Sequence, residues 1–275
     1  MSETNHFRRL MLLWLGASAV ATPLVVVVLG PSLPPGNGSA QASGHVTDNT
    51  VLLGMATPVF LLVVVYLIYA VTNFRQQPGA VLEGPAVRGD ARVQTSWIVI
   101  TSVLVLALAA YGTAELVGDG AGSGQGPNPA FAPSGKKLQV QVIAQEWAFT
   151  YRYPSYGGVE TPHLVIPVDT TIEFHVTSLD VIHSFWAYQL GVKADANPQV
   201  DNIVFVKPTK QEAFNIRCSE LCGIWHGYMF DTGRVVSAAA FQTWIRQQQA
   251  VFAPVAGYLP PYSTTYLPQP SGRGT

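Results

Sequence analysis

Apolar residues fill the first part of this chain in long runs, then break into short alternating ones. The first run is Leu10 to Leu29, behind the basic pair Arg8-Arg9; the second is Val51 to Val71; the third is Trp97 to Val117. A helix of ~20 apolar residues crosses a ~30 Å hydrocarbon layer, so the last two runs predict a transmembrane hairpin over 50–117. Tyr66, Tyr69, Trp97 and Tyr111 lie towards the ends of these runs, as interfacial aromatics do. The first run supports two readings. A basic start, an apolar stretch and "SAQA" before Ser43 make 1–42 a signal peptide cut after Ala42; the same length serves as an extra transmembrane helix. Arg75, Arg88 and Arg92 lie between the second and third runs, while Gly30 to Asn49 holds no Lys or Arg. Positive charge stays inside, so the chain after Val117 is expected outside.

Residues 118–135 form a linker rich in Gly, Pro and Ser. From Lys136 the period changes. "KKLQVQVIA", "WAFTYRY", "TIEFHVTS", "NIVFV" and "EAFNIRC" are short β-branched or aromatic segments, several alternating apolar and polar, separated by turn residues. They predict a small antiparallel sandwich or barrel over 136–251. A closing helix is expected over 237–249, capped by Ser237. The tail 252–275 is rich in Pro and Tyr and is either disordered or laid over a partner.

Charged residues make up only 11% of the chain, which agrees with membrane segments, and the net charge of −1 gives no electrostatic case for nucleic acid. The chemistry is concentrated in "CSELCGIWHGYM" at 218–229. It holds both cysteines, Cys218 and Cys222, together with His226 and Met229. Thiolate, imidazole and thioether are donors that copper takes in both its oxidation states, whereas methionine is a poor zinc ligand. The plain alternative is a Cys218–Cys222 disulfide. A single blue-copper site needs one cysteine, so a second suggests two thiolates bridging two coppers. One more histidine is required, and His163, His175 and His183 are the candidates. His183, in "DVIHSFW" beside a turn, has the best context.

"DVIHSFW", "GVKADANP" and "CSELCGIWHGYM" resemble the copper A domain of subunit II of haem-copper cytochrome c oxidases, over about residues 50–250. The resemblance implies a membrane-anchored all-β protein, two or three N-terminal helices followed by a cupredoxin-like Greek-key β-barrel with a C-terminal helix. It implies binuclear copper held by His183, Cys218, Cys222, His226 and Met229 and by the backbone carbonyl of Glu220. The Glu220 carboxylate would reach a magnesium ion shared with subunit I. Trp147 matches the tryptophan through which cytochrome c delivers its electron, and Phe149 replaces the family's second tryptophan. Gln94 stands where the family often carries a proton-loading carboxylate; an amide cannot load a proton near neutral pH.

The implied route runs from cytochrome c to Trp147, to the copper pair and to haem in subunit I, where oxygen is reduced; no catalytic residue is expected in this chain. Glu160, Asp180, Asp195 and Asp201 are candidate docking acids, and Ile224, Trp225 and Phe230 are expected to keep the metals dry. The implied place is a bacterial-type plasma membrane with the copper domain outside. Competing readings are the copper A subunit of a nitric oxide reductase and a membrane-anchored copper carrier. A quinol oxidase subunit lacks these copper ligands.

Overall fold

The computed structural model describes residues 5–75, 79, 89–118, 126, 128–129 and 132–255. Arg88, most of the linker and the tail beyond Val255 lie outside the described residues. The chain divides into a helical unit (1–33 and 47–115) and a β unit (34–46 and 116–275).

Among the described residues, three helices are long and apolar enough to span a bilayer. They are α1 (His6–Val28), α2 (Ala40–Asn73) and α3 (Ala91–Gly118). Asn5 caps α1 by accepting from the Arg8 N–H, and Asp90 caps α3 by accepting from the N–H groups of Arg92 and Val93. Within the unit α1 runs antiparallel to α2. His6 Nδ1 lies 2.7 Å from the Tyr69 hydroxyl and Trp14 Nε1 donates to the Pro58 carbonyl at 2.8 Å. At the far end Gly30 packs against Thr50, with no room for a Cβ. Tyr111 of α3 donates to Asp48 at 2.6 Å.

The α2 helix begins eleven residues before its apolar run, which starts at Val51. The reason is tertiary. Ser39 Oγ accepts from the Ala42 N–H, a helix cap, and donates to the Leu190 carbonyl at 2.6 Å. The Gly38 N–H donates to the Gln189 carbonyl, the Gly38 carbonyl accepts from Thr209, and Gln41 Oε1 accepts from the Lys207 N–H. Ser39, Gln41 and Ala42 are buried. Residues 37–42 are thus a strap on the β unit, and the bond after Ala42 sits inside a docked helix.

The β unit holds two five-stranded sheets. The first has the order β3-β2-β1-β5-β8, from β1 (Leu138–Gln145), β2 (Ala148–Tyr153), β3 (Val159–Thr161), β5 (Ile172–Ser178) and β8 (Asn202–Val206). The second has the order β4-β10-β9-β6-β7, from β4 (Val165–Pro167), β6 (His183–Ala187), β7 (Val192–Ala196), β9 (Glu212–Cys218) and β10 (Phe230–Val236). The all-β domain behind apolar helices agrees with the sequence expectation. The sheets are not purely antiparallel, however: β1 pairs parallel with β5, and β4 with β10. Both pairings join strands distant in sequence, so local alternation could not reveal them. Phe149, Tyr151, Tyr153, Phe174, Phe185 and Phe214 fill the space between the sheets. The helix α4 (Ala238–Phe252) closes the domain, capped as expected by Ser237 Oγ, and buries Phe241 and Ile245.

Candidate metal centre

The donor residues converge because two hairpin edges meet. Strands β9 and β10 are an antiparallel pair, and the 218–229 loop joins them. Its base is closed where the Cys218 N–H donates to the Met229 carbonyl at 3.0 Å. On the other side of β9 lies β6, with Phe185 opposite Cys218. This register brings His183, at the start of β6, to the first cysteine.

The contacts form a chain. His183 Nδ1 lies 3.9 Å from Cys218 Sγ, which lies 3.6 Å from Cys222 Sγ. Cys222 Sγ lies 3.5 Å from His226 Nδ1 and 3.8 Å from Met229 Sδ. The Glu220 carbonyl accepts from the Cys218 thiol at 3.2 Å. His183, Cys218, Cys222 and Met229 are buried, and both thiols are free. A disulfide needs sulfurs about 2.05 Å apart. Of the three candidate histidines, only His183 reaches the thiols. His175 lies in β5 of the other sheet, between two carboxylates.

The local electrostatics suit a metal. Burial opposes the Cys218 thiolate, but the His183 contact and the hydrogen bonds from its surroundings outweigh it, and its pKa falls to about 6. Burial and the neighbouring Cys218 thiolate push Cys222 up to about 12. Burial likewise opposes the His183 cation, and Cys218 and Asp180 reverse the balance. His183 Nε2 lies 2.9 Å from Asp180 Oδ1. That carboxylate holds the proton on Nε2 and turns the Nδ1 lone pair towards the thiols. Soft sulfur, imidazole nitrogen and a carbonyl oxygen in one dry cluster fit copper.

Trp147 is half-buried, and its Nε1 donates to the Cys222 carbonyl at 2.9 Å. The contact depends on Gly223, which sequence reasoning missed. Its φ is +110°, and a Cβ there would lie 3.3 Å from the indole. Replacing Gly223 by Ala is expected to cost about 1–3 kcal/mol through the left-handed backbone and to displace the indole. Thermal unfolding and the emission maximum of tryptophan check both effects; an unchanged wild-type profile would sink the account.

Several expected roles change. Ile224, Trp225 and Phe230 do not wall the donors in; they are 83%, 51% and 57% exposed. The loop turns them outward, and β-strand packing supplies the dryness instead. Asp201 is buried against His175 rather than available for docking, because it forms an ion pair of 2.7 Å across the sheet. Glu160 is committed to Arg152 at 2.8 Å. Asp180 serves His183 and also accepts from the Glu146 N–H at 2.7 Å. Asp195 remains exposed on β7, and Glu146, unassigned from sequence, is exposed beside Trp147. The Glu220 carboxylate is on an exposed residue.

The sequence profile of the family described as cytochrome C oxidase subunit II, periplasmic domain, matches residues 159–236. Cytochrome c oxidase subunit 2 of Thermostichus vulcanus is 27% identical over 285 residues, covering 87% of this chain and 86% of its own length. A probable cytochrome c oxidase subunit 2 of Rickettsia prowazekii is 36% identical over 129 residues, 39% of this chain and 41% of that one. The crystal structure of the periplasmic domain of subunit II of the cytochrome oxidase of Bradyrhizobium japonicum is 31% identical, covers 43% of this chain and 98% of that domain, and superposes with a TM-score of 0.42.

Proposed function

Since the chain belongs to the cytochrome c oxidase subunit II family, we propose that it is the electron-accepting subunit of a haem-copper oxidase, taking electrons from a cytochrome c donor and passing them towards haem in subunit I. The observation that carries this reading is the unbroken chain of donor contacts from His183 through both thiols to His226 and Met229. Bound copper supplies reversible one-electron chemistry shared over two metal ions. The side chains of His183, Cys218, Cys222, His226 and Met229 would hold it together with the Glu220 carbonyl.

The protein's own part is positional. The β6–β9–β10 register fixes His183 and Cys218 on sheet strands and staples the loop that carries the other ligands at its base, so little rearrangement accompanies a change of charge. Asp180 holds the His183 ring. Trp147, one hydrogen bond from the Cys222 carbonyl, is the proposed point at which the electron enters. Exposed Leu221, Ile224, Trp225, Tyr228 and Phe230 make an apolar face of the kind a permanent partner covers; that partner is proposed to be subunit I, with the Glu220 carboxylate contributing to a shared magnesium site. Asp195 and Glu146 are left to steer the donor, a role that a flat salt dependence of cytochrome c oxidation would remove.

The test is to load the full chain with copper in neutral detergent and record metal content and electron paramagnetic resonance. Two coppers sharing one unpaired electron are expected. A single-copper blue spectrum, or a Cys218–Cys222 disulfide in place of metal, would overturn the reading.

We also propose that α1 is retained as a third span, with Arg8 and Arg9 inside and the β unit outside. The strap supports this, because two spans separate it from the β unit it docks on, which puts both on one side. Protease added to the outer face of spheroplasts, followed by mass spectrometry, should release the β domain and leave α1 uncut at Ala42. A mature chain beginning at Ser43 would refute retention.

A further inference from the structure

On the β unit, away from the sulfur cluster, the first strand, the β4–β5 turn and the start of α4 enclose a cleft of about 560 Å³. Three lysines, Lys136, Lys137 and Lys207, line it against a single acid, Asp169. Lys137 is neutralised by Glu173 at 3.1 Å and lies over the Phe205 ring. Lys136 and Lys207 are exposed and have no carboxylate partner among the described residues. The backbone of Lys207 is held by Gln41 of the strap, and Lys136 stands two residues before the start of β1. Thr170, Thr171 and Ser155 add hydroxyl groups, Tyr156 and Phe241 add ring surface, and the first turn of α4 brings no acid.

Two lysines without a carboxylate partner among the described residues, lining one concavity of small-molecule size beside hydroxyl donors and an aromatic wall, have the composition of a site for an organic phosphate. A metal cation is disfavoured by the same charges, and a neutral ligand would leave them unused. We propose that this cleft binds a phosphate-bearing small molecule of nucleotide or lipid-headgroup size, its phosphate held between Lys136 and Lys207 and its organic part against Tyr156.

Isothermal titration of the copper-loaded full chain in neutral detergent, at physiological salt, tests this with two probes: ATP, and phosphatidylglycerol in mixed micelles. Saturable one-site binding of either probe is expected, and the one that binds identifies the source of the phosphate. K136Q/K207Q should weaken it by about tenfold or more, as loss of charge-assisted hydrogen bonds does. The copper spectrum of the variant, which the cleft does not touch, reports that the domain is folded. K193Q/K210Q removes the same charge elsewhere and should leave binding unchanged. Absence of saturable binding by both probes, or equal weakening in the two double variants, overturns the proposal.

Discussion

Cys218→Ser is expected to reduce bound copper from two ions per chain to one or none, to erase the shared-electron signal, and to lower cytochrome c oxidation by the assembled complex more than about 100-fold. The scale follows from where the sulfur stands. Cys218 Sγ touches His183, Cys222 and the Glu220 carbonyl, so its loss breaks the contact chain in the middle. A serine hydroxyl is not deprotonated under conditions where Cys218, with a pKa near 6, is a thiolate. Asp180→Asn supplies the graded comparison. It leaves every donor in place, weakens the hold on His183 Nε2 and disturbs the turn contacts from the Glu146 and Val181 N–H groups, so a loss of about 10–100-fold in copper affinity is expected. Far-UV circular dichroism should be unchanged in both. Retention of two coppers and wild-type turnover by Cys218→Ser would remove the thiolate pair from the function.

The sulfur cluster was legible in the sequence because four donors fall within twelve residues of one loop, and a loop that short must bring them together once its ends are stapled. His183 was legible from the apolar residues around it. The roles of Asp180 and Glu146 were not, since they depend on how the turn before β6 folds against the β1–β2 corner. Asp201 looked like a surface acid for the same reason: its partner His175 is twenty-six residues away, on the neighbouring strand. The exposed faces of Ile224 and Trp225 show the opposite failure. Apolar character was visible, but the direction in which a loop turns a side chain is fixed by backbone geometry alone. The start of α2 was hidden because residues 40–50 are polar, and only the strap contacts of Ser39 and Gln41 hold them helical.

His175→Leu is expected to destabilise the β domain by about 3–5 kcal/mol, the cost of leaving a buried charge without its partner. The imidazole is 3% exposed, with Nδ1 at 2.7 Å from Asp201 and Nε2 at 2.9 Å from Glu173. Asp201 is itself buried and its Oδ1 has no hydrogen-bond partner among the described residues, so it relies on the ring for compensation. Burial opposes the charged ring, yet the two carboxylates outweigh it and raise its pKa. A raised pKa stabilises the fold fully below the unfolded value of about 6.5, and the contribution is lost as pH climbs through the folded value. Glu173 behaves oppositely. The His175 hydrogen bond, reinforced by Gln139 and Lys137, lowers it to about 2, so its contribution is present above the usual 4.5 and fades as pH falls towards 2. Wild-type stability should therefore decline on both sides of a plateau between these limits. In His175→Leu the alkaline decline from this group should vanish, and the acid decline should shrink, because Glu173 without its chief partner titrates closer to its unfolded value. Urea unfolding of the full chain from pH 2 to 9, followed by the near-ultraviolet signal, measures both limbs. Coincident profiles for wild type and variant would show that the Glu173–His175–Asp201 array carries no net stability.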